Sequence, residues 1–99
     1  MRVFPCEFPY GKALFYFGTQ QCVPCKTLKP ILYDLEEEYG DDIPFYECDV
    51  SYNSLYRDMF AVMSVPTVIL LQFRKTDRVE LGRLVGCYPR ERYINLLNK

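Results

Sequence analysis

The sequence predicts an α/β domain in which a central mixed β-sheet is flanked by helices in the order β-α-β-α-β-β-α. Short apolar runs rich in aromatic and β-branched residues recur at residues 12–17, 43–50, 66–73 and 79–85. Helical patterns separate the first run from the second and the second from the third. The last two runs are joined by the short polar turn Lys75-Thr76-Asp77, which makes them an antiparallel hairpin, whereas strands joined through helices run parallel.

The elements follow in order. Residues 2–9 contain Pro5 and Pro9, each lacking a backbone donor, so this segment is at best an edge strand. Residues 12–17 are apolar or aromatic on both parities beyond Lys12, as in a strand buried on both faces. After the loop Gly18-Thr19-Gln20-Gln21, a helix is predicted from Val23 to Tyr39, with Leu28, Ile31, Leu32, Leu35 and Tyr39 along one face. Gly40 serves as its C-cap, and Pro30 inside it is expected to kink the axis. Residues 43–50 form the next strand. Ser51, Asn53 and Ser54 offer N-caps for a short helix whose apolar face is Leu55, Met59, Phe60 and Met63. The hairpin follows and Gly86 ends it. Pro89 suits the first turn of a last helix that buries Tyr93, Ile94 and Leu97.

Ninety-nine residues make a single domain, residues 1–99. With 49% hydrophobic and 25% charged residues the composition is that of a globular protein. A formal net charge of −1 gives no basic surplus for nucleic acid. Glu36-Glu37-Glu38 and the basic residues Arg90 and Arg92 read as solvated helix faces. No apolar stretch has the length of a membrane span, and the N-terminus lacks the pattern of a secretory signal. Five cysteines cannot all pair within one chain. Together these features favour a reducing compartment, the cytoplasm. The chain has no histidine, which removes the usual general base and the commonest metal ligand.

The chemistry concentrates in Gln21-Cys22-Val23-Pro24-Cys25-Lys26. Two intervening residues at a helix start bring both sulfurs onto one turn, where a disulfide forms and breaks with little backbone movement. The first cysteine lies at the helix N-terminus, where free N–H groups and the macrodipole favour a thiolate, so Cys22 is the attacking group. Isolated C-x-x-C is a weak signal. Following a buried strand and opening an amphipathic helix, it reads as a redox motif. Zinc needs four ligands, and Cys6, Cys48 and Cys87 supply no second pair, so no metal or cofactor is expected. Cys48, in a central strand, reads as a small buried hydrophobe.

On these residues the chain resembles the thioredoxin superfamily, closer to thioredoxin than to glutaredoxin, over roughly residues 10–99. Ala13-Leu14-Phe15-Tyr16-Phe17 before Cys22-Val23-Pro24-Cys25-Lys26, then Pro30-Ile31-Leu32, the strand ending at Asp49, the segment ending Val65-Pro66-Thr67, and Gly86 all match in register. The resemblance implies a thioredoxin fold and thiol–disulfide oxidoreductase activity that reduces protein disulfides. It implies Cys22 as nucleophile and Cys25 as resolving thiol. It implies a cis bond before Pro66, a substrate segment pairing with the Val65 backbone, and close approach over Gly86. Gln21, Val23 and Pro24 complete the substrate-facing rim. The implied partners are disulfide-containing proteins and an external reductase, either thioredoxin reductase or the glutathione system, acting on a monomer.

Three departures stand out. Gln21 replaces the family's tryptophan, Tyr16 stands where the family buries an acid, and Phe45 is near the place of that acid's lysine partner. Proton transfer to Cys25 then falls to water, Tyr16 or Glu47. Two other readings are a glutaredoxin-like glutathione-dependent reductase and a non-catalytic binding module. The first lacks support because Val85-Gly86-Cys87-Tyr88 has neither a second glycine nor an acid.

Overall fold

The computed structural model describes residues 1–4, 8–52 and 54–99. Eight elements follow one another: β1 (Arg2–Val3), β2 (Gly11–Gly18), α1 (Val23–Tyr39), β3 (Phe45–Asp49), α2 (Ser54–Met59), β4 (Thr67–Phe73), β5 (Arg78–Val85) and α3 (Arg90–Leu97). The predicted order is borne out, with the two-residue edge strand β1 placed before it. Cys6 and Asn53 lie outside the described residues.

The strands form one mixed sheet in the order β1-β3-β2-β4-β5. β1 and β2 both run parallel to β3, with Tyr16 opposite Glu47 and Gly18 opposite Asp49. β4 is antiparallel to β2, and β5 to β4. A bulge at Leu81 shifts the hairpin register, since Leu70 faces Gly82 while Leu71 faces Glu80.

Because side chains alternate along a strand, β2 serves two separate cores. Leu14 and Tyr16 join Leu28, Leu32, Leu35 and Tyr93 beneath α1 and α3. Ala13, Phe15 and Phe17 point the other way, into a layer with Tyr46, Phe60 and Phe73. Phe4 and Phe8 close that layer: Phe4 meets Phe15 edge-on at 4.9 Å, and Phe8 stacks on Phe73 at 4.8 Å.

α2 departs from its predicted face. Leu55 and Met63 are 65% and 93% exposed, and Met59 is exposed too. Of the predicted face Phe60 packs inward as expected, joined by Tyr56 four residues before it, whose ring lies 4.7 Å from Phe4. The helix has six residues and stops at Met59, and Ala61 at φ 53° breaks the helical phase before Met63. The Arg83 guanidinium of β5 then ties this corner by donating to the carbonyls of Phe60 (2.8 Å) and Ala61 (3.2 Å).

α1 keeps its predicted bounds, Val23–Tyr39, with Pro30 inside it. Gly40 caps it in a right-handed conformation, its N–H donating to the Glu36 carbonyl at 2.8 Å. Pro89 is the N-cap of α3, one residue ahead of the first turn. The charged clusters do more than face solvent. Arg90 pairs with Asp34 and lies 3.5 Å from Glu38, linking α3 to α1, while Glu36 pairs with the N-terminal ammonium at 3.1 Å. Arg92 lies over the Tyr88 ring at 4.5 Å.

Candidate active site

The site is assembled where β2 and β3 end and α1 begins. The chain leaves β2 at Gly18, turns through residues 19–21 and enters α1 at Val23. Cys22 is the N-cap residue, with extended backbone (φ −80°, ψ 112°), and its Sγ accepts the Cys25 N–H at 3.1 Å. The sulfur thereby satisfies one of the amide groups that a helix start leaves unpaired. Pro24 falls in the first turn, where its missing donor costs nothing.

Cys22 and Cys25 are joined as a disulfide, with Cα atoms 5.2 Å apart. The two sulfurs differ in access: Cys22 is partly exposed, whereas Cys25 is 1% exposed and packed into the core under α1. Gly18 makes this packing possible. A Cβ there would collide with the Tyr16 hydroxyl and come within 3.2 Å of the Cys25 Sγ. The Tyr16 hydroxyl and the buried sulfur are therefore neighbours across the end of β2.

A cavity of about 440 Å³ opens beside them, lined by Tyr16, Cys25, Lys26, Lys29, Glu47 and Asp49 among others. Lys29 and Glu47 form an ion pair at 3.1 Å across it. Asp49 accepts the Ser51 N–H at 2.9 Å. Burial, with Glu47 and Asp49 adding to it, pushes the Tyr16 phenol up to about 12. Cys48, also on the cavity wall, is raised to about 11 by burial and then by Asp49. Both groups are therefore neutral at physiological pH.

On the other side of β2 lies a second group of predicted residues. The Val65–Pro66 bond is cis. Thr67 Oγ1 donates to the Ser64 carbonyl at 2.7 Å, and the Gly86 N–H donates to the Pro66 carbonyl at 2.8 Å, which fixes Gly86 against Pro66. Gly86 has φ 105°, a backbone conformation that favours glycine. The Tyr93 hydroxyl donates to the Gly86 carbonyl and accepts the Tyr88 N–H, both at 3.2 Å. Val65 and Cys22 pack against the same buried cluster. Gln21, Val23 and Pro24 are exposed around Cys22, and Cys87 is an exposed thiol next to Gly86.

Lys29 and Asp49 are not site candidates on the sequence alone, although their spacing places them. Lys29 stands four residues after Cys25, on the same helix face, and Asp49 stands two after Glu47, on the same strand face. Phe45 is fully buried, and the lysine of this site reaches in from α1.

Residues 9–99 match the Thioredoxin family model. The chain belongs to the thioredoxin family. The thioredoxin of Bacillus subtilis (strain 168) is 33% identical over 96 residues, covering 97% of this chain and 88% of that protein. The thioredoxin of Listeria monocytogenes is 30% identical over 96 residues, covering 97% and 89%. Among solved structures, oxidised mitochondrial thioredoxin 3 of Saccharomyces cerevisiae superposes with a TM-score of 0.77 at 26% identity, over 91% of this chain and 80% of that one. Trichomonas vaginalis thioredoxin gives 0.79 at 26% identity, over 89% and 78%. The sheet with its flanking helices is thus a thioredoxin fold. With its C-x-x-C pair at disulfide distance, this thioredoxin-family protein is a thiol–disulfide oxidoreductase that reduces protein disulfides. Its partners as a class are disulfide-bearing substrates and a reductase.

Proposed function

We propose that Cys22 opens the reaction and Cys25 completes it. The Cys22 thiolate attacks one sulfur of a substrate disulfide, and the other substrate sulfur leaves as a thiolate and takes up a proton. Cys25, as thiolate, then attacks the Cys22 sulfur. This forms the Cys22–Cys25 disulfide and releases the second substrate thiol, so two electrons pass from the protein to the substrate. The observation that carries this assignment is the asymmetry of the pair: Cys22 is partly exposed at the helix N-cap with an amide N–H on its sulfur, and Cys25 is 1% exposed beneath it. An N–H donor and a helix N-terminus stabilise a thiolate at the position a substrate can reach.

The substrate segment lies along Val65, Pro66 and Gly86, with Gln21, Val23 and Pro24 forming the opposite rim. The bond between Gly86 and Pro66 and the exposure of Val23 support this reading. The protein works as a monomer in the cytoplasm, carrying electrons from an external reductase to protein disulfides in redox homeostasis. The free thiols Cys48 and Cys87 favour such a reducing compartment. Among the described residues, no helix is long and apolar enough to cross a membrane.

Insulin-disulfide reduction tests the roles. The Cys22→Ser protein is expected to be inactive, and Cys25→Ser is expected to accumulate mixed disulfides with substrate. Full activity in Cys22→Ser refutes the assignment.

A further inference from the structure

We propose that Glu47, held by Lys29, accepts the proton of Cys25 across the cavity between β2, β3 and α1, and so governs the second step of the exchange. The inference rests on the roles just given to Cys22 and Cys25.

The need for an acceptor follows from burial. Cys25 must attack as a thiolate, yet the residue is 1% exposed, so its proton leaves by way of the cavity beside it and the groups that line that cavity. There is no histidine anywhere in the chain. The cavity of about 440 Å³ reaches Cys25 and has ample room for water. The groups facing it are Lys26 and Lys29 from α1, Tyr16 from β2, and Glu47, Cys48 and Asp49 from β3, while β1 adds the apolar Val3. Tyr33 of α1 also acts electrostatically on Tyr16.

Two carboxylates in this set can accept a proton, and placement favours Glu47. Lysine ammonium groups are hydrogen-bond donors and not acceptors. Tyr16 and Cys48 keep their own protons to about 12 and about 11, so neither is a base at neutral pH. Asp49, opposite Gly18 at the end of β3, accepts the Ser51 N–H and has no phenol across from it to carry a proton. Glu47 is the cross-strand partner of Tyr16, and the Tyr16 hydroxyl lies beside the Cys25 sulfur. Lys29, four residues beyond Cys25 on α1, fixes the carboxylate at 3.1 Å. The Tyr16 hydroxyl, accepting on one side and donating on the other, can relay the proton, with cavity water completing the path. Lys29 is thus a positioning residue that keeps a counter-charge on the acceptor.

Balance is complete within the known reaction. The Cys25 proton passes to the Glu47 carboxylate. The Cys25 thiolate bonds to the Cys22 sulfur, and the bond between Cys22 and the substrate sulfur breaks. The departing substrate thiolate takes up a proton from solvent, and Glu47 returns its own through the cavity mouth.

Stopped-flow reaction of the reduced protein with an aromatic disulfide that releases a coloured thiol separates the two steps. The first burst of colour reports attack by Cys22, the second attack by Cys25. In Glu47→Gln the first phase is expected to be unchanged. The second is expected to slow by about 10- to 100-fold at pH 7 and to recover as pH rises through the ordinary thiol range near about 8.5. Glu47→Asp should restore part of the rate. Lys29→Met, a change at a half-exposed position, should slow the second phase alone, by about 3- to 10-fold, because the carboxylate is no longer held in place. It serves as the test if Glu47→Gln does not fold. A second phase in Glu47→Gln equal to wild type at pH 7, or slowed equally at every pH, overturns the proposal. So does a loss of the same size in Asp49→Asn with Glu47→Gln unaffected, or a wild-type second phase in Lys29→Met. Absence of the first phase in the wild-type protein would instead overturn the role of Cys22 itself.

Discussion

Adding one methyl group at Gly18 probes the contact between the buried sulfur and the strand beneath it. In Gly18→Ala the new Cβ would overlap the Tyr16 hydroxyl and lie 3.2 Å from the Cys25 Sγ. Gly18 is the last residue of β2, paired with Asp49 on one side, so the backbone has little freedom to retreat. The strain must be taken up by tilting the Tyr16 ring, which is buried between Cys25 and the β3 acids. Overpacking of this kind costs about 1–3 kcal/mol. Stiffening of the unfolded chain by alanine returns about 0.4–1 kcal/mol where the native backbone suits it. A net loss of about 1–2 kcal/mol remains, which for a domain of this size is a fall in Tm of about 5–15 °C. Thermal and urea unfolding of the reduced proteins measures it without the disulfide contributing. Because the ring is what the methyl strikes, Tyr16→Leu should relieve the cost, and the double-mutant cycle should give a coupling of about 1–2 kcal/mol. A Gly18→Ala protein that melts within about 2 °C of wild type, or a cycle that is simply additive, refutes the reasoning.

Two further predictions concern the titrating groups. Burial raises Tyr16 from 10.0 to about 12 and Cys48 from 9.0 to about 11, so the fold holds their protons more tightly than the unfolded chain does. The stability this contributes is complete below about pH 9 and is lost as pH climbs toward 12. The urea midpoint should accordingly be flat up to about pH 9 and fall above it, with Tyr16→Phe removing the upper part of the fall; a midpoint constant to pH 11.5 contradicts the shifts. With Cys22–Cys25 oxidised, iodoacetamide at pH 8 should modify exposed Cys87 at least about a hundredfold faster than buried Cys48, and peptide mass mapping with equal labelling of the two would refute this.

The sheet was legible because its signals are periodic. Both parities of residues 13–17 are apolar, and the structure uses both, Leu14 and Tyr16 toward α1, Phe15 and Phe17 away from it. The Cys22–Cys25 pair was legible from spacing plus context, since a helix starting at Val23 leaves few other places for the two sulfurs. The buried face of α2 was legible only at Phe60, for a physical reason. Six residues contain fewer than two turns, too few for periodicity to show that Tyr56, and not Leu55, Met59 or Met63, accompanies Phe60 on the face that packs. The polar cavity was only half legible. Tyr16 and Glu47 were visible as candidates, but their meeting with Lys29 depends on which strand lies beside β2 and on the rotation of α1 over it. Neither is written in any single segment. Arg83 holding the carbonyls of Phe60 and Ala61, more than twenty residues away, has no local signal at all.

The placement of the chemistry follows from β2 having two faces. Toward α1 the strand carries Leu14, Tyr16 and then bare Gly18, so the apolar packing gives way to polar groups at its carboxyl end. β3 does the same in parallel register, from Phe45 through Glu47 to Asp49. Parallel strands bring those ends side by side, and the N-terminus of α1 opens over them with Cys22 at its cap. Toward the opposite face Phe15, Phe17, Tyr46 and Phe60 keep the layer aromatic. A strand whose residues alternated polar and apolar would have forced one face into solvent. β2 avoids this by staying apolar on both faces until its last turn of register, which is where an ionisable sulfur, a phenol and two carboxylates come together.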